Sequence, residues 1–157
     1  TSVQRMATKF ANGRFIPQNP QKYVGDPRKI MFRSSWERTF MIWLDKNNAV
    51  LRWGSEELSI PYINPLDNKV HKYYPDMIIM YIDTSGQVKK EIIEIKPYKQ
   101  TVATPKMSER DKLAVIVNQA KWKYAAEWAQ RNGAEFRILT ERNLFLQKAK
   151  KVKGTAI

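Results

Sequence analysis

The run Met77-Ile78-Ile79-Met80-Tyr81-Ile82 is apolar on both of its strand faces. A strand of that kind belongs in the middle of a sheet covered on both sides. It forms the second half of a segment running from about Val70 to Ile82. Thr84-Ser85-Gly86-Gln87 then turns the chain, Val88 to Lys96 pairs back as a hairpin, and Pro97 stops it. A two-faced strand in a hairpin demands cover above and below, which the rest of the chain must supply.

Upstream, Trp36, Phe40, Trp43 and Leu44 recur at helical spacing and predict a helix over about 35–47 with that stripe facing the core. Short strands follow at about 50–53 and 57–63, and Asn64-Pro65-Leu66-Asp67-Asn68-Lys69 reads as a turn. Downstream, residues 97–108 form a loop. Leu113, Ile116, Val117, Ala120, Tyr124, Ala125 and Trp128 predict a long helix over about 109–132, capped by Gly133. A strand over 134–139 and a last helix from a Thr140 cap to about Lys150 complete the order. The fold class is α/β, a mixed central sheet flanked by helices. Residues 1–32, with Pro17, Pro20 and Pro27 and no apolar period, read as an extended basic arm; 33–147 make the domain, and 148–157 a basic tail.

Composition narrows the chemistry. A length of 157 residues suits one domain rather than two. The absence of cysteine excludes disulfides and thiolate metal sites, and the single histidine, His71, excludes a His-rich zinc cluster, so any metal must sit on carboxylates. There is neither an apolar run long enough to span a membrane nor an apolar signal-peptide region, which predicts a soluble protein that is not secreted. The net charge of +13 points to a polyanionic partner, nucleic acid first. Its distribution adds to this. Residues 1–33 hold 7 basic side chains to 1 acidic, residues 34–96 hold 8 to 9, and residues 97–157 hold 13 to 5. A locally acidic middle between cationic flanks suits a carboxylate metal site whose surroundings grip the substrate.

The hairpin carries that acidity in a pattern. Tyr74-Pro75-Asp76 opens the buried strand, and Glu94-Ile95-Lys96 ends its partner, 18 residues after Asp76. Period-two alternation puts Glu94 and Lys96 on one strand face, and hairpin pairing is expected to bring Asp76 toward it. Two converging carboxylates suit a hard cation such as Mg2+, with Mn2+ as a substitute, and a neighbouring lysine holds an attacking water or offsets charge on a scissile phosphate. This is equipment for phosphodiester hydrolysis. Read singly, Glu94 and Lys96 are also compatible with a solvent-facing strand pair. Ser34-Ser35-Trp36-Glu37 equally matches a capping box in which Glu37 reaches back to the Ser34 amide. Glu56 and Glu57 read as a solvated strand start. Arg33, Lys99, Lys121 and Lys123 are the candidate phosphate contacts.

The ordered series of motifs resembles the PD-(D/E)xK, restriction-endonuclease-like nucleases. Within them it is similar to the head completion nucleases of large contractile-tailed phages and to TnsA-type endonucleases. The likeness rests on Tyr23 to Ile30, Phe32 to Glu37, Trp53-Gly54-Ser55-Glu56, Ile60-Pro61-Tyr62, Tyr73-Tyr74-Pro75-Asp76, Ile93-Glu94-Ile95-Lys96-Pro97, Lys121-Trp122 and Phe136 to Glu141. It implies that Glu37, Asp76, Glu94 and Lys96 are catalytic, that Asp76, Glu94 and the Ile95 carbonyl ligate the metal, and that Glu37 is the acid contributed by the first helix. The Gln-x-x-x-Tyr motif of the exonuclease-like branch is missing, since Gln119 stands four before Lys123 and five before Tyr124. That argues against a processive exonuclease and leaves the catalytic role of this helix open.

The resemblance also implies a setting: DNA as substrate, portal and neck proteins as partners, and no membrane or small-molecule cofactor. Location would be the virion neck, and the host cytoplasm during assembly. Two alternatives share these residues. One is a structural connector that binds DNA and portal without cleavage; the other is a TnsA-like transposon end-cutting subunit.

Overall fold

The structure is a computed structural model that describes residues 12–143. Among the described residues the order is β1 (Gly13–Arg14), β2 (Met31–Phe32), α1 (Ser35–Lys46), β3 (Val50–Ser55), β4 (Ile60–Asn64), β5 (Lys69–Tyr73), β6 (Met77–Ile82), β7 (Val88–Ile95), α2 (Glu109–Arg131) and β8 (Glu135–Leu139), with 3-10 turns at Pro20–Lys22, Pro27–Lys29 and Tyr98–Gln100. A mixed four-stranded sheet has the order β3-β6-β7-β8, and β1-β2 and β4-β5 form separate ribbons. The fold is the expected α/β, restriction-endonuclease-like class. No helix among the described residues is long and apolar enough to cross a membrane.

The chain divides into two compact units. The first holds residues 12–59 and 74–92. In it β3 runs antiparallel to β6 with Trp53 opposite Ile79 and Ser55 opposite Met77. Trp53 is fully buried and meets Phe15 and Tyr23 edge-on at centroid distances of 5.8 and 4.8 Å. Such pairs add roughly 0.5–1.5 kcal/mol each beyond the area they bury. Residues 12–32 are therefore not an arm. Phe15, Tyr23, Ile30 and Phe32 are buried, and β1 pairs with β2 across the two 3-10 turns. The proline spacing hid this, because it breaks the apolar period without preventing single anchors from reaching the core.

Helix α1 begins where capping predicts, with the Ser34 hydroxyl accepting from the Glu37 amide at 3.1 Å. Its buried face is Glu37, Met41, Leu44 and Asp45. The stripe expected in the core is only partly there: Trp36 and Phe40 are half-buried, and Trp43 is 42% exposed and stacks on Phe40. Only Leu44 of that stripe is buried. The helix end is closed by Lys22, whose ammonium donates to the carbonyls of Leu44, Asp45 and Asn47 at 2.7, 3.0 and 2.8 Å.

The second unit holds residues 60–73 and 93–143. β4 and β5 pair antiparallel from Ile60 opposite Tyr73 to Asn64 opposite Lys69. The segment expected as one strand from Val70 to Ile82 is thus two, because β5 is paired in the ribbon and β6 in the sheet, with Tyr74, Pro75 and Asp76 between them. Helix α2 packs on β4 and β8. It buries Val115, Trp122, Ala125 and Ala129, whereas Leu113 and Ile116 are 43% and 44% exposed, so the inward face is rotated from the one predicted. Gly133, at φ 68°, ends it as expected. The Lys96 amide donates to the Leu139 carbonyl at 3.0 Å where β7 ends. Thr140 caps the turn that follows, its hydroxyl accepting from the Arg142 amide. The remainder of the predicted last helix and the tail 148–157 lie outside the described residues.

Candidate active site

In the first unit Glu37 is a buried carboxyl, 7% exposed, on the inner face of α1. Burial raises its pKa, and the negative charge of Glu56 raises it further. The Arg33 amide, the Arg33 guanidinium and the Ser34 hydroxyl pull in the opposite direction. The capping arrangement is therefore half of the expected box: Ser34 receives the Glu37 amide, but the carboxyl takes the amide of Arg33 rather than that of Ser34. Asp76 stands half-buried immediately before β6, and its carbonyl accepts from the Glu56 amide at 3.2 Å.

Glu56, expected as a solvated strand start, does more than that. It sits at φ 53°, a left-handed conformation that costs a non-glycine residue on the order of 1 kcal/mol or more. That turn ends β3, aims the Glu56 amide at Asp76 and places the carboxylate 3.3 Å from Arg33. Its neighbour Glu57 accepts from the Tyr23 hydroxyl at 3.0 Å. Neither role has a local sequence signal, because each depends on residues some 20 or more positions away.

In the second unit Glu94 is 7% exposed near the end of β7. The buried Tyr73 hydroxyl donates to its Oε1 at 2.7 Å, and the Lys96 ammonium lies 3.6 Å from its Oε2. Alternation along the strand does place Glu94 and Lys96 together, as predicted. Ile95 between them is half-buried. The Lys121 ammonium lies 5.8 Å from the ring centroids of both Tyr62 and Tyr73, within cation–π range, so this lysine is not merely part of a solvated face.

The other candidate phosphate contacts differ in setting. Arg33 pairs with Glu56 yet keeps 71% of its side chain exposed. Lys99 is exposed on the Tyr98–Gln100 turn and Lys123 on α2. Beside Lys99, the Arg142 guanidinium stacks over the Tyr98 ring at 3.5 Å, and the Glu141 carboxylate accepts from the Tyr98 amide.

Oxygen donors of the kind a hard divalent cation takes are present in each unit, Asp76 in the first and Glu94 with the Ile95 carbonyl in the second. Carboxylates and a backbone carbonyl are the oxygen ligands such an ion takes, and Mg2+ commonly uses one or two carboxylates while keeping several waters. Among the described residues no group of three or more histidine, aspartate or glutamate side chains is gathered to hold a metal ion.

Comparison with known proteins identifies the family. A family model described as TnsA-like endonuclease N terminal matches residues 47–141, a span that contains Asp76, Glu94, Ile95 and Lys96 and begins after Glu37. The head completion nuclease of Enterobacteria phage T4 is 41% identical over 143 residues, covering 85% of this chain and 93% of that protein. On the extent of both likenesses, the chain belongs to the TnsA-like endonuclease family and is a relative of the phage head completion nuclease.

Proposed function

We propose that this chain is an endonuclease that hydrolyses DNA phosphodiester bonds with Mg2+, or Mn2+ in its place, during completion of a phage head. The observation that carries the reading is the buried Glu94 with the Lys96 ammonium 3.6 Å from its carboxylate, inside the span matched by an endonuclease family. A buried carboxylate and a lysine at the end of a core strand are costly to keep for stability alone.

Asp76, Glu94 and the Ile95 carbonyl are the proposed cation ligands. The bound cation would polarise a phosphoryl oxygen and lower the pKa of an attacking water. Lys96 supplies a fixed positive charge that orients that water or offsets the charge growing on the phosphate, and Glu37 joins the site as the acid from α1. Water would add to phosphorus as the bridging P–O bond breaks; the attacking water gives up one proton to solvent and the departing oxygen takes one from solvent, leaving a phosphate and a hydroxyl end. The excess of basic side chains holds the DNA backbone, with Arg33, Lys99, Lys121 and Lys123 as proposed contacts. The proposed partners are portal and neck proteins, and the proposed location is the virion neck, reached from the host cytoplasm.

The test is cleavage of linear, branched and single-stranded DNA with and without Mg2+, comparing wild type with folded Asp76→Ala and Lys96→Ala variants. Loss of about 100-fold or more in rate in both variants, with DNA binding retained, is the expected result. A wild type that binds DNA and neck proteins but cuts nothing would replace this reading with that of a structural connector.

A further inference from the structure

Glu94 does not stand alone in its unit. The Tyr73 hydroxyl that donates to Glu94 Oε1 at 2.7 Å belongs to a tyrosine only 4% exposed, at the last position of β5. The same ring lies within 5.8 Å of the Lys121 ammonium, as does the ring of Tyr62. Lys121, Tyr73, Glu94 and Lys96 thus form a relay drawn from α2, β5 and the end of β7.

We propose that Tyr73 is a positioning residue for the cation site, acting through Glu94, and that Lys121 tunes it. This rests on the assignment of Glu94 as a cation ligand. The physical argument has two parts. A carboxylate rotates easily about its last side-chain bond, and a buried phenol bonded to Oε1 fixes that rotation, which holds Oε2 near the Lys96 ammonium. Groups that orient a metal ligand in this way contribute strongly to metal affinity. A cation over a phenol ring also draws electron density from it and makes the hydroxyl a better donor, so Lys121 strengthens the bond that Tyr73 makes.

Tyr73 is not proposed to touch substrate, and Lys121, also a proposed DNA contact, is judged here by metal affinity measured without DNA. Phenylalanine could fill the Tyr73 site equally well if packing were its whole role, because a buried phenol without a partner is penalised. The hydroxyl is therefore the feature to remove.

The experiment uses the full chain without DNA and measures Mn2+ binding by the loss of the free-ion electron paramagnetic resonance signal. Tyr73→Phe is expected to bind Mn2+ about 10-fold or more weakly, in the range of mutations that unsettle a metal ligand's orientation. Lys121→Met is expected to weaken it in the same direction by less. In cleavage assays both variants should need more Mg2+ for half-maximal rate and recover part of the rate at saturating Mg2+.

Wild-type Mn2+ affinity in Tyr73→Phe, with or without a lower melting temperature, would overturn the proposal. If that variant does not fold, Lys121→Met decides, and unchanged affinity there overturns it. A wild type that binds Mn2+ but cuts no DNA would sink the nuclease reading alone, leaving Tyr73 to be judged on metal affinity. A wild type that binds no Mn2+ would remove the cation site and this inference with it.

Discussion

Burial of the Glu37 carboxyl, and after it the charge of Glu56, raises the pKa of Glu37. A carboxyl whose pKa is higher folded than unfolded binds more protons in the native state, so its contribution to stability falls as pH rises from the unfolded pKa through the folded one. Glu37→Gln removes that loss. The variant should be more stable than the wild type at pH 7 in metal-free buffer and gain little or nothing at pH 4, as read by urea unfolding at the two pH values. Equal effects at both would show that the ionised carboxyl is not penalised.

Lys22 closes the end of α1 by donating to three carbonyls, those of Leu44, Asp45 and Asn47. Lys22→Met keeps most of the apolar stem and removes the donors. A charge-assisted hydrogen bond contributes roughly 1.5–3 kcal/mol, and these three share one ammonium, so a loss of about 2 kcal/mol is expected. Denaturant unfolding of the two proteins measures it, and a difference within error would mean that water serves those carbonyls as well.

The Tyr23 hydroxyl accepts from the buried Ser55 amide at 3.1 Å and donates to Glu57 at 3.0 Å. Burial pushes the phenol pKa well above its ordinary value, so it remains a neutral donor across the working pH range. Tyr23→Phe leaves the Ser55 amide without that acceptor and should cost about 1–3 kcal/mol. Calorimetric melting would register this as a lower Tm at every pH near neutrality.

Gly54 lies in β3 where an added Cβ would come within 2.4 Å of Val24 Cγ2. Gly54→Ala should therefore destabilise by about 1–3 kcal/mol through overpacking. Adding Val24→Ala opens the space, so the double variant should lose less than the two single effects combined. Simple additivity in a double-mutant cycle would place the cost of Gly54→Ala elsewhere.

Some of the site was legible because its signals are short in range. Alternation alone puts Glu94 beside Lys96, and the Ser34 cap marks the start of the helix that carries Glu37. The pairing of Tyr73 with Glu94 was not legible. The two residues are 21 apart, and only the break between β5 and β6 lets Tyr73 end a ribbon strand instead of continuing into the sheet.

What the sequence by itself determined is whatever neighbours along the chain dictate: the two-faced apolar strand β6, its hairpin partner β7, the ends of α1 and α2, the oxygen-only donor set and the basic flanks. Only the tertiary structure decided which helix faces are inward, that Phe15, Tyr23, Ile30 and Phe32 draw the N-terminal segment into the core, and that Glu56 turns left-handed beside Asp76. The reason is physical. Capping and strand periodicity are local free energies, whereas burial is shared among surfaces distant in the chain. A side chain as apolar as Trp43 can remain exposed, with Trp36 and Phe40 only half-buried, when Met41 and Leu44 fill the available core.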